Sequence, residues 1–246
     1  SANPVMTSVE LGGQRLLALN GGPMYKPNPS ISMFVNLDSA EAAEAAFRAL
    51  STGMVMMPFD SYPWAERYGW CADRWGVTWQ VACGLAAPVR ETLCPSLLFT
   101  QAAAGKAEEA IAHYVRTIPG SSVILLDRHE PGGGEVPGTI RHAQFSLGGR
   151  TFMATDSAAA HPFTFSEGVS LVIHCRTQDE VDHYWAALSE GGSEGRCGWL
   201  KDRWGVSWQV VPTVLAELMG DAERAPRVIQ AFLGMTKFDI AALLRA

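Results

Sequence analysis

The sequence predicts an α+β protein built from tandem β-α-β-β-β modules and closed by a helical C-terminal tail. Three observations carry that prediction. The segment GWCADRWGVTWQV at residues 69–81 returns as GWLKDRWGVSWQV at 198–210, with ten of thirteen positions identical. The match continues upstream, where SMFVNL from Ser32 faces SLVIHC from Ser170 and LGGQRL from Leu11 faces LGGRTF from Leu147. Second, in both copies a β-prone run precedes an amphipathic helix and further strands. Third, the residues after Val214 carry apolar stripes at helical spacing.

The first strands expected are 5–11 and 15–19. By comparison with the second copy they are the last two strands of a module whose leading strand, helix and strand are missing. Alone they would expose unpaired edges, so the other copy, another chain or residues outside this sequence must complete them. A strand at 31–37 follows, then a helix with Ala43, Phe47 and Leu50 on one face, opened by Asp38 or Ser39 with Glu41. Residues 69–81 read as strand, DRWG turn, strand. Gly84 and Pro88 place a linker near 84–93. The second copy opens with a strand at 95–99 and a helix at 106–118 that buries Ala110, Ile111, Tyr114, Val115 and Ile118. Strands at 122–127, 140–147 and 150–155 complete that module. The last module has a strand at 169–175, a helix carrying Val181, Trp185 and Leu188 behind the capping box Thr177 and Glu180, and the repeated 198–210 segment. In the tail, Leu215, Leu218 and Met219, then Val228, Ile229, Phe232 and Leu233, then Ile240, Leu243 and Leu244 form the stripes, with Asp221 and Pro226 between them. These helices are expected to pack on the sheet or on a partner subunit. The domain reading is an N-terminal copy at 1–92 and a complete copy at 93–246. Because the chain opens on Ser1 instead of Met, it reads as a processed or engineered fragment.

Composition narrows the function. Hydrophobic residues make up 48% of the chain and charged residues 18%, the balance of a globular protein with a sizeable core. The net charge is −6 and the 19 basic residues are scattered, so a nucleic-acid partner is not expected. No run approaches the roughly 20 apolar residues of a membrane span, and the N-terminus lacks a secretory pattern. Five cysteines, an odd number without CxxC spacing, argue against a disulfide framework or a zinc ribbon. The expected location is therefore the cytoplasm. Duplicated modules need covered sheet edges, which predicts a homodimer or a fused, dimer-like arrangement.

Strand alternation selects the candidate site. In VTWQV, Val77, Trp79 and Val81 share one face and Thr78 and Gln80 the other; Val206, Trp208 and Val210 against Ser207 and Gln209 repeat the pattern. The apolar face suits packing under the helices. Thr78, Gln80, Ser207 and Gln209 then face the opposite side, where they either hydrogen-bond a small ligand or satisfy one another. Trp70 and Trp199 are placed to stack a planar ligand or to fill core. His174, mid-strand, reads as a site residue or a satisfied polar group. The DRWG repeats read as turn chemistry, with Asp73 and Asp202 accepting backbone N–H groups, Gly76 and Gly205 supplying positive φ, and Arg stacking over Trp. The remaining histidines form no cluster in sequence, and Cys71 and Cys175 have no neighbouring base to activate them.

Paired β-α-β-β-β units with DxxG in the final turn resemble the vicinal oxygen chelate superfamily of glyoxalase and the bleomycin-resistance proteins. LALNGGP at 17–23, ALSEGG at 187–192, CGWLKDRWGVSWQVVP at 197–212 and MTKFDIAALLRA at 235–246 are similar to its PhnB-like branch, often labelled 3-demethylubiquinone-9 3-methyltransferase. The resemblance implies curved mixed sheets around a cavity and, in some members, a divalent metal that chelates vicinal substrate oxygens. Family ligands near the start of the first strand map here to Ile31, Val169 or residues 95–97, none of which is a ligand, and those on the last strand map to Gln80 and Gln209. One neutral amide per cavity holds a divalent ion poorly, so neither a tightly held metal nor a cofactor is expected. Methyl transfer is not expected either. An adenosyl donor needs a Gly-rich strand-to-helix turn in a parallel sheet, whereas Gly132 to Gly134 sit in a hairpin loop between Pro131 and Pro137. No P-loop, HExxH or Ser-His-Asp order occurs. The expected function is binding of a small molecule in a Trp-lined cavity. The alternative is a divalent-metal-dependent isomerase, lyase or dioxygenase.

Overall fold

The computed structural model describes residues 6–246; of the expected first strand, Val5 lies outside the described residues. The chain divides into two compact units, Ser1–Thr164 and Phe165–Ala246. No helix among the described residues is long and apolar enough to cross a membrane.

In the first unit β1 (Met6–Leu11) and β2 (Gln14–Leu19) form a hairpin sheet of their own. Gln14 donates to Glu91 and the Arg150 guanidinium to the Gly13 carbonyl, which ties the hairpin to the body of the unit. The body contains β3 (Ile31–Asn36), α1 (Ala40–Leu50), β4 (Val55–Tyr62), β5 (Ala65–Ala72), β6 (Thr78–Leu85), β7 (Leu93–Phe99), α2 (Ala107–Thr117), β8 (Ser122–Arg128), β9 (Ile140–Leu147) and β10 (Arg150–Asp156). One eight-stranded sheet in the order β4-β5-β6-β3-β7-β10-β9-β8 joins them. Each module contributes four strands with its leading strand parallel to its last, β3 to β6 and β7 to β10. The leading strands β3 and β7 meet antiparallel, Ser32 facing Ser96 and Phe34 facing Cys94.

The expected β-α-β-β-β order holds in every complete module. The compact units divide at Thr164/Phe165, not at the expected boundary 92/93, because the β3–β6 and β7–β10 modules share one sheet. Residues 86–92, in the expected linker region, therefore connect β6 to β7, two strands of one sheet with β3 between them.

Local chemistry starts the helices. Ser39 is the cap of α1, its hydroxyl accepting the Ala42 N–H at 3.2 Å. Helix α2 has no side-chain cap of its own; the buried Asp156 carboxylate at the end of β10 accepts the Ala107 N–H and, with its other oxygen, the Ile140 N–H. Ala43 and Phe47 of α1 pack on Cys71, Trp79, Val81 and Cys83, so the apolar alternation of β6 lies under the helix as expected. The opposite, concave face holds Phe34, Tyr68, Ala82, Cys94 and Met153.

The second unit has β11 (Ser170–Cys175), α3 (Gln178–Ser189), β12 (Ser193–Glu194), β13 (Trp199–Lys201), β14 (Ser207–Pro212), α4 (Val214–Gly220), α5 (Ala225–Leu233) and α6 (Ile240–Arg245). Its sheet is four-stranded, β11-β14-β13-β12, with β11 parallel to β14 and ending the sheet. Thr177 caps α3 by accepting the Glu180 N–H, while Glu180 reaches back to the Arg176 N–H. The tail is helical as expected and buries Leu218, Val228 and Leu243.

The repeated DRWG turn is built the same way twice. Asp73 accepts the Trp75 and Val77 N–H groups on one oxygen and the Trp79 indole N–H on the other. Asp202 does the same with Trp204, Val206 and Trp208. Gly76 at φ +87° and Gly205 at φ +92° close the turns in the left-handed region.

Candidate functional site

Four of the seven sequence-selected residues meet on two strand pairs. Trp70 lies directly opposite Gln80 across β5 and β6, and Trp199 directly opposite Gln209 across β13 and β14. All four are half-buried. In the first unit Gln80 bridges the two modules: its Oε1 accepts the Tyr68 hydroxyl at 2.8 Å and its Nε2 donates to Ser96 Oγ on β7 at 3.3 Å. Ser32 Oγ accepts the Trp70 indole N–H and lies 2.9 Å from Thr78 Oγ1. Thr78 is buried and also donates to the Ile31 carbonyl, so its hydroxyl is committed to the sheet.

The second unit keeps the residues and changes the bonds. Gln209 Nε2 donates to Ser170 Oγ at 2.8 Å. Ser207, the counterpart of Thr78, is fully buried and its hydroxyl has no hydrogen-bond partner. His174 is exposed on β11, level with Val211 of β14. Trp199 lines a hollow of about 170 Å³ together with Glu167, Ser193, Glu194, Gly195 and Lys201. Across that hollow the Lys201 ammonium and the Glu167 carboxylate form an ion pair at 2.8 Å.

Sequence reasoning missed the aromatic wall beside Gln80. Tyr62 and Trp64 stack at 4.9 Å between ring centroids, and Tyr68 meets both edge-on at 5.6 and 5.8 Å. Burial, reinforced by Tyr62 nearby, pushes the Tyr68 phenol well above its ordinary value, so at neutral pH it is a hydrogen-bond donor. Across the concave face Gln144 donates to the Ala87 carbonyl and lies 3.2 Å from His142 Nε2. Burial lowers the His142 pKa, which keeps the ring neutral and able to accept.

A second cluster also went unread. The Ser157 hydroxyl donates to Glu135 at 2.7 Å and lies 3.0 Å from His161 Nε2, and the Ala158 N–H donates to the same carboxylate. Burial would raise the Glu135 pKa, but these two hydrogen bonds and the charges of His129 and His161 outweigh it and hold the carboxyl below its ordinary value. This cluster anchors the loop between β8 and β9. All five cysteines are free, and burial lifts Cys94 and Cys175 to about 12, leaving them unreactive thiols.

The concave donors are neutral and engaged with one another. Among the described residues no three His, Cys, Asp or Glu side chains form a group able to hold an ion. The Gln80 amide and the hydroxyls of Tyr68, Ser32, Thr78 and Ser96, without a carboxylate to balance charge, do not fit a divalent cation.

Leading strands parallel to last strands, joined edge to edge into one curved mixed sheet, define the glyoxalase-like architecture of the vicinal oxygen chelate superfamily. Glyoxalase I from Zea mays shares the fold at a TM-score of 0.52 and 14% identity, over 85% of this chain and 77% of that one. Residues 2–82 and 91–211 match the family described as 3-demethylubiquinone-9 3-methyltransferase, and the chain belongs to that family, the PhnB-like branch of the superfamily. A PhnB protein from Bacillus cereus is 34% identical over 48% of this chain and 96% of its own, with a TM-score of 0.45. A protein from Pseudomonas aeruginosa is 25% identical over 48% of this chain and 93% of its own, with a TM-score of 0.41. No curated protein resembles the chain closely enough to count as a match.

Proposed function

We propose that this PhnB-like protein binds a small, uncharged, planar molecule against the concave face of its first unit and does so without a tightly held metal. One observation carries the reading: Trp70, Tyr68, Gln80 and Ser96, drawn from two modules, put aromatic surface beside an amide that can exchange its internal hydrogen bonds for those of a ligand. Trp199 and Gln209 offer the same pairing in the second unit. The methyl transfer in the family's description finds no support in the glycine-rich loop, because Gly132 to Gly134 connect the antiparallel strands β8 and β9.

Four buried thiols and the absence of any disulfide among the described residues support a cytoplasmic location. The two separate family matches support duplicated copies at 1–92 and 93–246. The leading strand β11 ends its sheet, and an edge of that kind supports a homodimer.

The test is thermal-shift titration with planar metabolites, with and without divalent ions, alongside elemental analysis of the purified protein. Stabilisation by an uncharged planar compound, weakened at least tenfold in Trp70→Ala and Gln80→Ala and indifferent to added ions, is the expected result. Stoichiometric bound metal with metal-dependent stabilisation would overturn it in favour of an isomerase, lyase or dioxygenase.

A further inference from the structure

The repeat supplies an internal standard for the second unit. At the offsets set by the matched blocks, Glu167 and Lys201 stand where the first unit has Pro29 and Ala72, so the ion pair beside Trp199 has no counterpart there. The first unit forms the same strand relations without such a pair, so the sheet does not need it. The fate of one hydroxyl differs as well. Thr78 bonds Ser32 and the Ile31 carbonyl. Its counterpart Ser207 is 0% exposed and has no partner, while Ser170 serves Gln209.

The strand register gathers these differences on one face. Residues directly opposite each other in an antiparallel pair project their side chains to the same side. Trp199 is opposite Gln209, Lys201 is opposite Ser207, and Ser193 of β12 is opposite Lys201. Trp199, Lys201 and Ser193 line the hollow of about 170 Å³, and Glu167 enters it from the segment before β11. Glu194 also borders the hollow, but it is opposite Leu200 and therefore on the other face, where its carboxylate accepts the Trp185 indole N–H. The charges on the hollow's own side are one ammonium and one carboxylate, with side chains 37% and 24% exposed, open to exchange with a ligand from solvent.

We propose that this hollow binds a free α-amino acid through its ammonium and carboxylate groups. A purely anionic ligand would draw Lys201 away and leave Glu167 unmatched, and a purely cationic one would do the reverse. A ligand that carries both charges replaces each end of the ion pair and strands neither. Because the two protein groups lie 2.8 Å apart, the ligand's charges must also be close together, as they are on a single α-carbon. Its carboxylate, drawn to Lys201, gives the neighbouring Ser207 hydroxyl the acceptor it lacks. Its side chain lies on the Trp199 ring.

This goes beyond the uncharged ligand of the first unit and does not rest on it. Calorimetric titration of the full chain with the twenty common α-amino acids should find at least one that binds at sub-millimolar concentration. Its N-acetyl and carboxamide derivatives, each lacking one charge, should bind at least tenfold more weakly, and so should 6-aminohexanoate, whose charges lie far apart. Lys201→Ala combined with Glu167→Pro copies the first unit and should abolish binding with an unchanged circular dichroism spectrum. Lys201→Met, which keeps the apolar stem, should abolish it alone. Trp70→Ala should leave it intact. Binding by none of the twenty overturns the proposal and leaves a structural ion pair only. Binding that tolerates either blocked derivative, survives Lys201→Met or disappears in Trp70→Ala overturns it as well. The first-unit reading stands or falls separately, on uncharged compounds with Trp70→Ala and Gln80→Ala. If the double variant does not fold, Lys201→Met decides the matter.

Discussion

Asp202 accepts three hydrogen bonds on a side chain only 3% exposed, two from the turn backbone and one from the Trp208 indole that lies under α3. It ties the DRWG turn of its module to Trp208, the largest fully buried side chain among the described residues. Replacing it by Ala strands three donors, so Asp202→Ala should cost about 3 kcal/mol or more by chemical denaturation, with Asp202→Asn losing less because one acceptor oxygen remains. Asp73→Ala should weaken the first unit for the same reason. Much of this turn was legible in the sequence, because the DxxG signature is local: an Asp that accepts and a Gly with positive φ need only one another. The third bond was not legible, since nothing in the spacing of Asp73 and Trp79 says that the indole bends back across the hairpin. Gly69 and Gly198 are a parallel case. Their repetition was visible, but their reason is tertiary: a Cβ at either position would collide with an aromatic ring, Phe47 in one unit and Phe238 in the other.

At the scale of elements, the strands and helices that follow simple alternation were predictable and those with irregular register were not. The concave placement of Gln80 and the convex placement of Trp79 and Val81 follow from period-two alternation on an unbroken β6. Tyr62 and Tyr68 belong to the β4–β5 pair, whose register shifts at three points, so their common face cannot be counted out from the chain. Loop 129–139 between β8 and β9 shows the same limit, because its anchor joins Glu135 to Ser157 and His161 on a different element. Its pH behaviour can be stated with a sign. The Glu135 pKa is lowered in the fold, so its contribution is fully present above the ordinary carboxylate value and is lost as pH falls through the depressed one. Protection of the 129–139 amides, relative to their intrinsic exchange at each pH, should therefore fall in acid more steeply than in the body of the sheet. Glu135→Gln should show low protection already at neutral pH and little further change on acidification.

For the whole molecule, duplication was readable and the way the copies combine was not. Repeated residues announce common ancestry, but which edges meet is decided by pairing between strands far apart in sequence. β3 and β7 join one module to the next, although their β-prone runs give no hint that they are neighbours. That seam has a practical consequence for anyone who would take this protein apart. Severing the polypeptide after residue 92 would give two pieces, each with half of a continuous hydrogen-bonded ladder, and neither should be soluble alone. Co-expressed, the pieces should find each other and reconstitute the parent's circular dichroism and melting profile. A break between Thr164 and Phe165 leaves that ladder whole, and the piece preceding it should fold unaided.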